Sequence, residues 1–253
     1  MNQHDIPQPV WITTNAELAN SCQQWLNEPF LALDTEFIRT NTFYPIAGLF
    51  QVADSQHSYL IDPLEIDEWQ PFADLLTHPN VIKVFHACPE DLEVCRRLTG
   101  VLPSPLADTQ IAAALAGLGS NLGFQKLLEE ILDIHLPKEE TRSNWLQRPL
   151  SDNQVIYAVA DVHFLYQLYP KLVSMLQTLG RDEWLMEDCQ RLLLQSDRAD
   201  QPEYYFKRFK QKWKMKAQQL FLLQELSLWR EHKARQENVP RNNVIDSNSL
   251  WNM

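Results

Sequence analysis

No stretch of the 253 residues approaches the run of about 18 apolar residues that a membrane helix requires, so no membrane span is expected. The opening stretch, Met1 to Pro7, lacks both a basic start and an apolar core, so it does not read as a secretory signal. Cysteine is scarce. Cys22, Cys88, Cys95 and Cys189 lack zinc-site spacing, which reads as four reduced thiols of a cytoplasmic protein. There are no internal repeats and no low-complexity tract, which sets repeat architectures aside. Positive charge is also short: 22 Lys and Arg against 33 Asp and Glu give a net charge of −11, which taken whole argues against a nucleic-acid partner.

The distribution of charge reverses that reading. Residues 1–203 carry 12 basic and 29 acidic groups, whereas residues 204–253 carry 10 basic and 4 acidic. Within the basic part, Lys207, Arg208, Lys210, Lys212, Lys214 and Lys216 fall in ten residues with no acid among them. Cations interleaved with Phe206, Phe209 and Trp213 suit phosphate contact and base stacking. A solvated face, or a linker docked on the acidic part of the chain, is the equal alternative.

An apolar content of 45% supports a sizeable core, and the length suits one large domain and one small one. Apolar runs predict strands over 10–13, 30–37, 48–53, 58–61 and 81–85. Thr14 with Glu17 reads as a capping box opening a helix to about residue 27. Further helices are predicted over 67–76, from Pro89 through Asp91, over 108–116 and over 122–132. Ser151 caps another that carries Tyr157 and Asp161 and is expected to end or bend near Pro170. Beyond about Arg181 the pattern is purely helical, with 196–202 as the expected linker. The fold class is therefore α/β, followed by an all-helical C-terminal segment. The expected division is 1–196, a basic linker or helix over 197–216, and a helical module over 217–253.

Four carboxylates in three short segments carry the chemistry. Asp34 and Glu36 end an apolar run two residues apart, so on a strand they share one face. Asp91 follows Pro89 on a helix. Tyr157 and Asp161 are four apart and share a helix face. Alone, Asp34 reads as a turn or cap residue and Asp161 as a solvated one. Brought together and buried, Asp34, Glu36, Asp91 and Asp161 would be costly without cations. Two divalent ions would balance them, and paired hard cations on oxygen ligands are common machinery for breaking phosphodiesters.

These segments resemble the DEDD exonuclease superfamily, in the subclass with Tyr in its third motif. Within it, the run from Asp34 through Thr35, Glu36, Phe37, Ile38 and Arg39 to Pro45 is similar to the ribonuclease D family. So are Gly48-Leu49-Phe50-Gln51 and Arg142-Ser143-Asn144-Trp145-Leu146-Gln147-Arg148. The likeness covers roughly residues 10–179. It implies a ribonuclease H-like fold, a mixed sheet flanked by helices. It implies a metal-dependent 3′-5′ exoribonuclease releasing nucleoside 5′-monophosphates, with structured RNAs such as tRNA precursors as substrate. Asp34, Glu36, Asp91 and Asp161 become the expected ligands of two Mg²⁺ or Mn²⁺ ions, with Zn²⁺ admitted at one site, and Tyr157 the residue that orients the attacking water. Residues 220–246 resemble the start of a helicase-and-ribonuclease-D C-terminal (HRDC) domain. The chain holds about two helices of it, so an incomplete module is expected.

Other residues have assigned parts. His86 is expected to be structural, Asp108 a helix N-cap, and Glu90 to face away from the cluster. Phe43, Tyr44 and Phe50 are candidates for base stacking, with core the favoured place for Phe50. Lys138, Arg142 and Arg148 are candidates for phosphate contact, and Trp145 for fixing the loop beside the site. The expected molecule is a cytoplasmic monomer that acts on RNA and not on membranes. A DNA exonuclease of the same chemistry, and a nucleic-acid-binding protein without catalysis, are the competing readings.

Overall fold

The computed structural model describes residues 6–136, 143–210 and 212–252. It divides into two compact units: residues 1–38 with 47–192, and residues 39–46 with 193–253. The first is an α/β unit on a six-stranded mixed sheet of order β1-β4-β3-β2-β5-β6. Its strands are β1 (Val10–Ile12), β2 (Phe30–Ile38), β3 (Ile46–Ala53), β4 (Ser58–Ile61), β5 (Ile82–Phe85) and β6 (Leu106–Asp108). β2 runs parallel to β5 and β5 to β6, while β3 and β4 are antiparallel. β2 sits inside the sheet, and Leu31, Ala32 and Leu33 are fully buried, as expected where both faces of a strand are covered.

The helices of this unit are α1 (Asn15–Trp25), α2 (Gln70–Leu76), α3 (Pro89–Thr99), α4 (Thr109–Leu115), α5 (Phe124–Leu132) and α6 (Asp152–Leu179). Local chemistry sets many of their ends. Thr14 and Glu17 form the expected capping box on α1, and Ser151 and Gln154 form another on α6. Pro89 opens α3, and Gly100 closes it in the left-handed region, where glycine carries no Cβ penalty.

Three sequence expectations are corrected, and one strand was not foreseen. Residues 67–69 are not helical: the Asn15 side-chain oxygen accepts from the backbone N–H groups of Asp67 and Glu68 ahead of α2. β6 has no sequence signal of its own; it forms by pairing Leu106, Ala107 and Asp108 with β5. α6 continues through Pro170 to Leu179. The missing N–H and the ring clash there cost about 3 kcal/mol, but Leu172 and Leu176 beyond it are fully buried. Their burial offsets that cost at about 1.5–3 kcal/mol each. Finally, α7 (Asp182–Asp200) runs through most of the expected linker, and the break comes only at Gln201, before a 3₁₀ turn over Pro202–Arg208.

The second unit is helical, built on α8 (Ala217–Glu237) with α9 (Arg241–Val244) and α10 (Ser247–Asn252). Its interior is polar as well as apolar. Glu231, 1% exposed, accepts from Arg241 at 2.5 and 2.9 Å. Arg235 pairs with Asp200 at 2.9 Å. The guanidinium groups of Arg235 and Arg241 lie 4.8 and 4.5 Å from the centre of the Phe43 ring. Residues 39–46 thus belong to this unit although β2 and β3 on either side belong to the sheet.

Candidate active site

β2 delivers Asp34 and Glu36, and α6 delivers Asp161. Ligand oxygens of all three lie within 4.8 Å of one another. The strand period of two puts both β2 acids on one face. The hydroxyl of Thr35, between them in sequence, donates a short hydrogen bond, 2.5 Å, to the Asp91 carboxylate on α3, and both residues are buried. Asp91 stands outside the tight trio, yet its charge acts on Glu36 and that of Asp34 acts on it.

Burial and mutual repulsion push Asp34, Glu36 and Asp91 toward the protonated state. Burial raises Asp34 well above the carboxylate range, and Asp161 raises it further. Burial raises Glu36 to about 10, with Asp34, Asp161 and Asp91 adding to the effect. Asp91 rises for the same reasons, burial first and Asp34 second. Among the described residues no Lys or Arg forms an ion pair with Asp34, Glu36 or Asp91. A cluster of acids that offers only oxygen donors fits hard divalent cations.

Tyr157, one helical turn before Asp161, is hydrogen-bonded to it. Burial, then the negative field of Asp161, Glu36 and Asp34, holds the phenol far above its ordinary pKa. It stays protonated at any working pH. Its ring lies 6.1 Å from that of Trp145, which is 1% exposed. Trp145 joins Leu49, Leu60, Ala158 and Val159 in one apolar cluster.

The Trp145 loop is fastened by two residues. A Cβ at Gly48 would stand 2.6 Å from Trp145 Cβ and 2.7 Å from its carbonyl oxygen, so β3 and the loop approach more closely than any side chain allows. Arg148 makes a two-pronged pair with Asp62, 2.5 and 2.6 Å, and donates to the carbonyls of Gly48, Trp145 and Gln147. The expectation that Arg148 contacts phosphate is therefore corrected: its donors are consumed in tying the loop to the sheet. Phe43 is likewise corrected, because it is 4% exposed and its ring packs against the guanidinium groups of Arg235 and Arg241. Phe50 is fully buried in the core. Tyr44 packs edge-on to Phe43, and its backbone N–H donates to Asn238. Lys138 and Arg142 lie outside the described residues.

The remaining candidates take structural places. Asp108 caps α4 through Gln110 N–H and also accepts from Ala87 and Cys88 N–H. His86 contacts the Thr109 hydroxyl at 2.9 Å and packs against Phe124. Glu90 is exposed. All four cysteines are buried free thiols. Sequence reasoning missed Thr35, Gly48 and Asp62 as supports. Thr35 was visible only as the residue between two acids, and Gly48 only as part of a motif.

With the sheet and the acidic cluster in place, comparison with known proteins gives the class. Residues 9–177 match the model of the 3′-5′ exonuclease family, and the chain belongs to that family. It is 50% identical to ribonuclease D of Pseudomonas paraeruginosa over 245 residues, 97% of this chain and 65% of that protein. Against ribonuclease D of Serratia proteamaculans the identity is 39% over 240 residues, 95% of this chain and 64% of the relative. The chain thus spans about two thirds of the length of these relatives. The crystal structure of Escherichia coli RNase D, an exoribonuclease involved in structured RNA processing, superposes with a TM-score of 0.90 at 38% identity. That match covers 97% of this chain and 65% of the E. coli chain. Membership of the family implies divalent metal ions, and the acidic cluster fits them. Among the described residues no helix is long and apolar enough to cross a membrane.

Proposed function

We propose that this chain is a 3′-5′ exoribonuclease that removes nucleoside 5′-monophosphates from RNA 3′ ends, with tRNA precursors as its natural substrates. The observation that carries the reading is the trio Asp34, Glu36 and Asp161, with oxygens within 4.8 Å of one another. Together with Asp91 these residues would hold two divalent ions, Mg²⁺ or Mn²⁺. When bound, such ions supply positive charge that offsets the charge building on the scissile phosphate. Burial and the neighbouring acids push Glu36 up to about 10, and the positive charge of such ions would favour its charged form. Asp91 is aimed by Thr35.

Tyr157 orients the attacking water by a hydrogen bond and does not abstract its proton, because its phenol is shifted away from the range of a general base. The Trp145 loop, pinned by Gly48 and Arg148, holds that phenol against the cluster. The likeness to ribonuclease D supports RNA over DNA as substrate. The working form is a cytoplasmic monomer. The test is incubation with a 3′-extended tRNA and with single-stranded DNA, with and without magnesium. Magnesium-dependent release of 5′-monophosphates from the RNA is expected; preferential trimming of DNA, or no release from either, sinks the reading.

A further inference from the structure

One surface takes no part in that chemistry: the segment from Lys207 to Lys216 in the second unit. The side chains of Lys207, Arg208, Lys210, Lys214 and Lys216 are exposed. Among the described residues, none of Lys207, Arg208, Lys210 or Lys216 has a carboxylate partner. Of the four acids in residues 204–253, Glu231 pairs with Arg241 and Arg235, and Glu237 with Lys233.

Two residues fix the shape of the segment. The Lys212 amine donates to the carbonyls of Lys207 and Phe209 at 2.7 and 3.4 Å. Phe209 stacks on Trp251 at 6.1 Å and 16°. Both are half-buried. Trp213 is the opposite case. At 76% it is the most exposed large apolar side chain among the described residues, and the Lys214 amine lies 5.2 Å from its ring. A bare indole among cations offers both partners that a single nucleic-acid strand needs: a face for an unpaired base and charges for its phosphates.

We propose that this segment is a binding surface for single-stranded RNA, with Trp213 stacked on a base and Lys207, Lys210 and Lys214 on the backbone. The choice of RNA rests on the exoribonuclease reading. An unpaired strand is favoured over a duplex because paired bases leave no face for the indole.

The test is binding of a labelled, unstructured RNA of about 20 nucleotides in chelator, from about 50 to about 200 mM salt. Replacing three lysines together, Lys207→Gln, Lys210→Gln and Lys214→Gln, should weaken binding and flatten the salt slope by about 2, at about 0.7 per phosphate. The matching triple Lys→Arg variant should bind as the parent does. Trp213→Ala should weaken binding about 10-fold with the slope unchanged. Parent-like affinity and slope in the triple Gln variant, or parent-like affinity in Trp213→Ala, overturns the proposal. Circular dichroism matching the parent excludes unfolding, and if the triple variant unfolds, Lys210→Gln alone should flatten the slope by about 0.7. Cleavage of a dinucleotide by the parent with magnesium reads the catalytic proposal separately. Its failure leaves the binding result standing.

Discussion

Replacing Gly48 by alanine should damage the site from a residue that never touches it. The new Cβ would meet Trp145 Cβ at 2.6 Å, its carbonyl oxygen at 2.7 Å and its carbonyl carbon at 2.9 Å. Two of these are backbone atoms and cannot swing aside. Ordinary contact between such atoms is about 3.5–4 Å, so β3 and the loop must part by about 1 Å. Overpacking of that kind costs about 1–3 kcal/mol. For a domain of this size each kcal/mol lowers Tm by about 2–4 °C, so a drop of several degrees is expected. The displaced loop carries Trp145 away from Tyr157, and a misplacement of about 1 Å can cost about 100-fold in turnover. The control is Gly123→Ala, where a Cβ meets nothing within 4 Å and φ is −73°. Thermal melts and turnover on a short RNA, run for both variants, decide the matter. A Gly48→Ala protein with the Tm and turnover of the parent would refute the reasoning.

Three further outcomes follow from the site. In chelator, stability should fall as pH rises from about 5 to 9: Glu36 titrates near 10 folded and near 4.5 unfolded. The native state therefore keeps a proton that the unfolded chain releases, at up to about 1.4 kcal/mol per pH unit. Manganese should reverse the trend, and urea melts showing a flat or rising metal-free profile would count against the cluster's electrostatics. Tyr157→Phe should lower turnover by about 2–4 kcal/mol of transition-state stabilisation, with manganese affinity unchanged by calorimetry; equal turnover would show that the phenol does not position water. Thr35→Val should destabilise the protein by about 1–3 kcal/mol by leaving the buried Asp91 oxygen without its donor. Thr35→Ser should restore it, and a Val variant as stable as the parent would refute that role.

Some of this was legible in the chain and some was not. Asp34 and Glu36 share a face because a strand repeats every two residues, and Tyr157 and Asp161 do because a helix repeats every 3.6. Caps at Thr14, Ser151 and Asp108 were legible for the same reason: a capping side chain bonds a backbone group two or three residues away. Such features need only local geometry. The places of Asp91, Arg148 and Phe43 depend on partners 56, 86 and about 190 residues distant, and no spacing rule reaches that far.

The sequence by itself therefore determined the donor types, the strand and helix that carry them, and the split between an acidic body and a basic tail. The tertiary structure decided that Asp91 stands apart on Thr35, that Arg148 serves Asp62 and not a phosphate, and that Phe43 packs against arginines. It also decided that β6 exists at all, since three residues become a strand only by pairing with β5. The physical reason is one: a side chain's role is set by what desolvates it and what accepts its hydrogen bonds, and in a folded chain those groups come from far away in sequence.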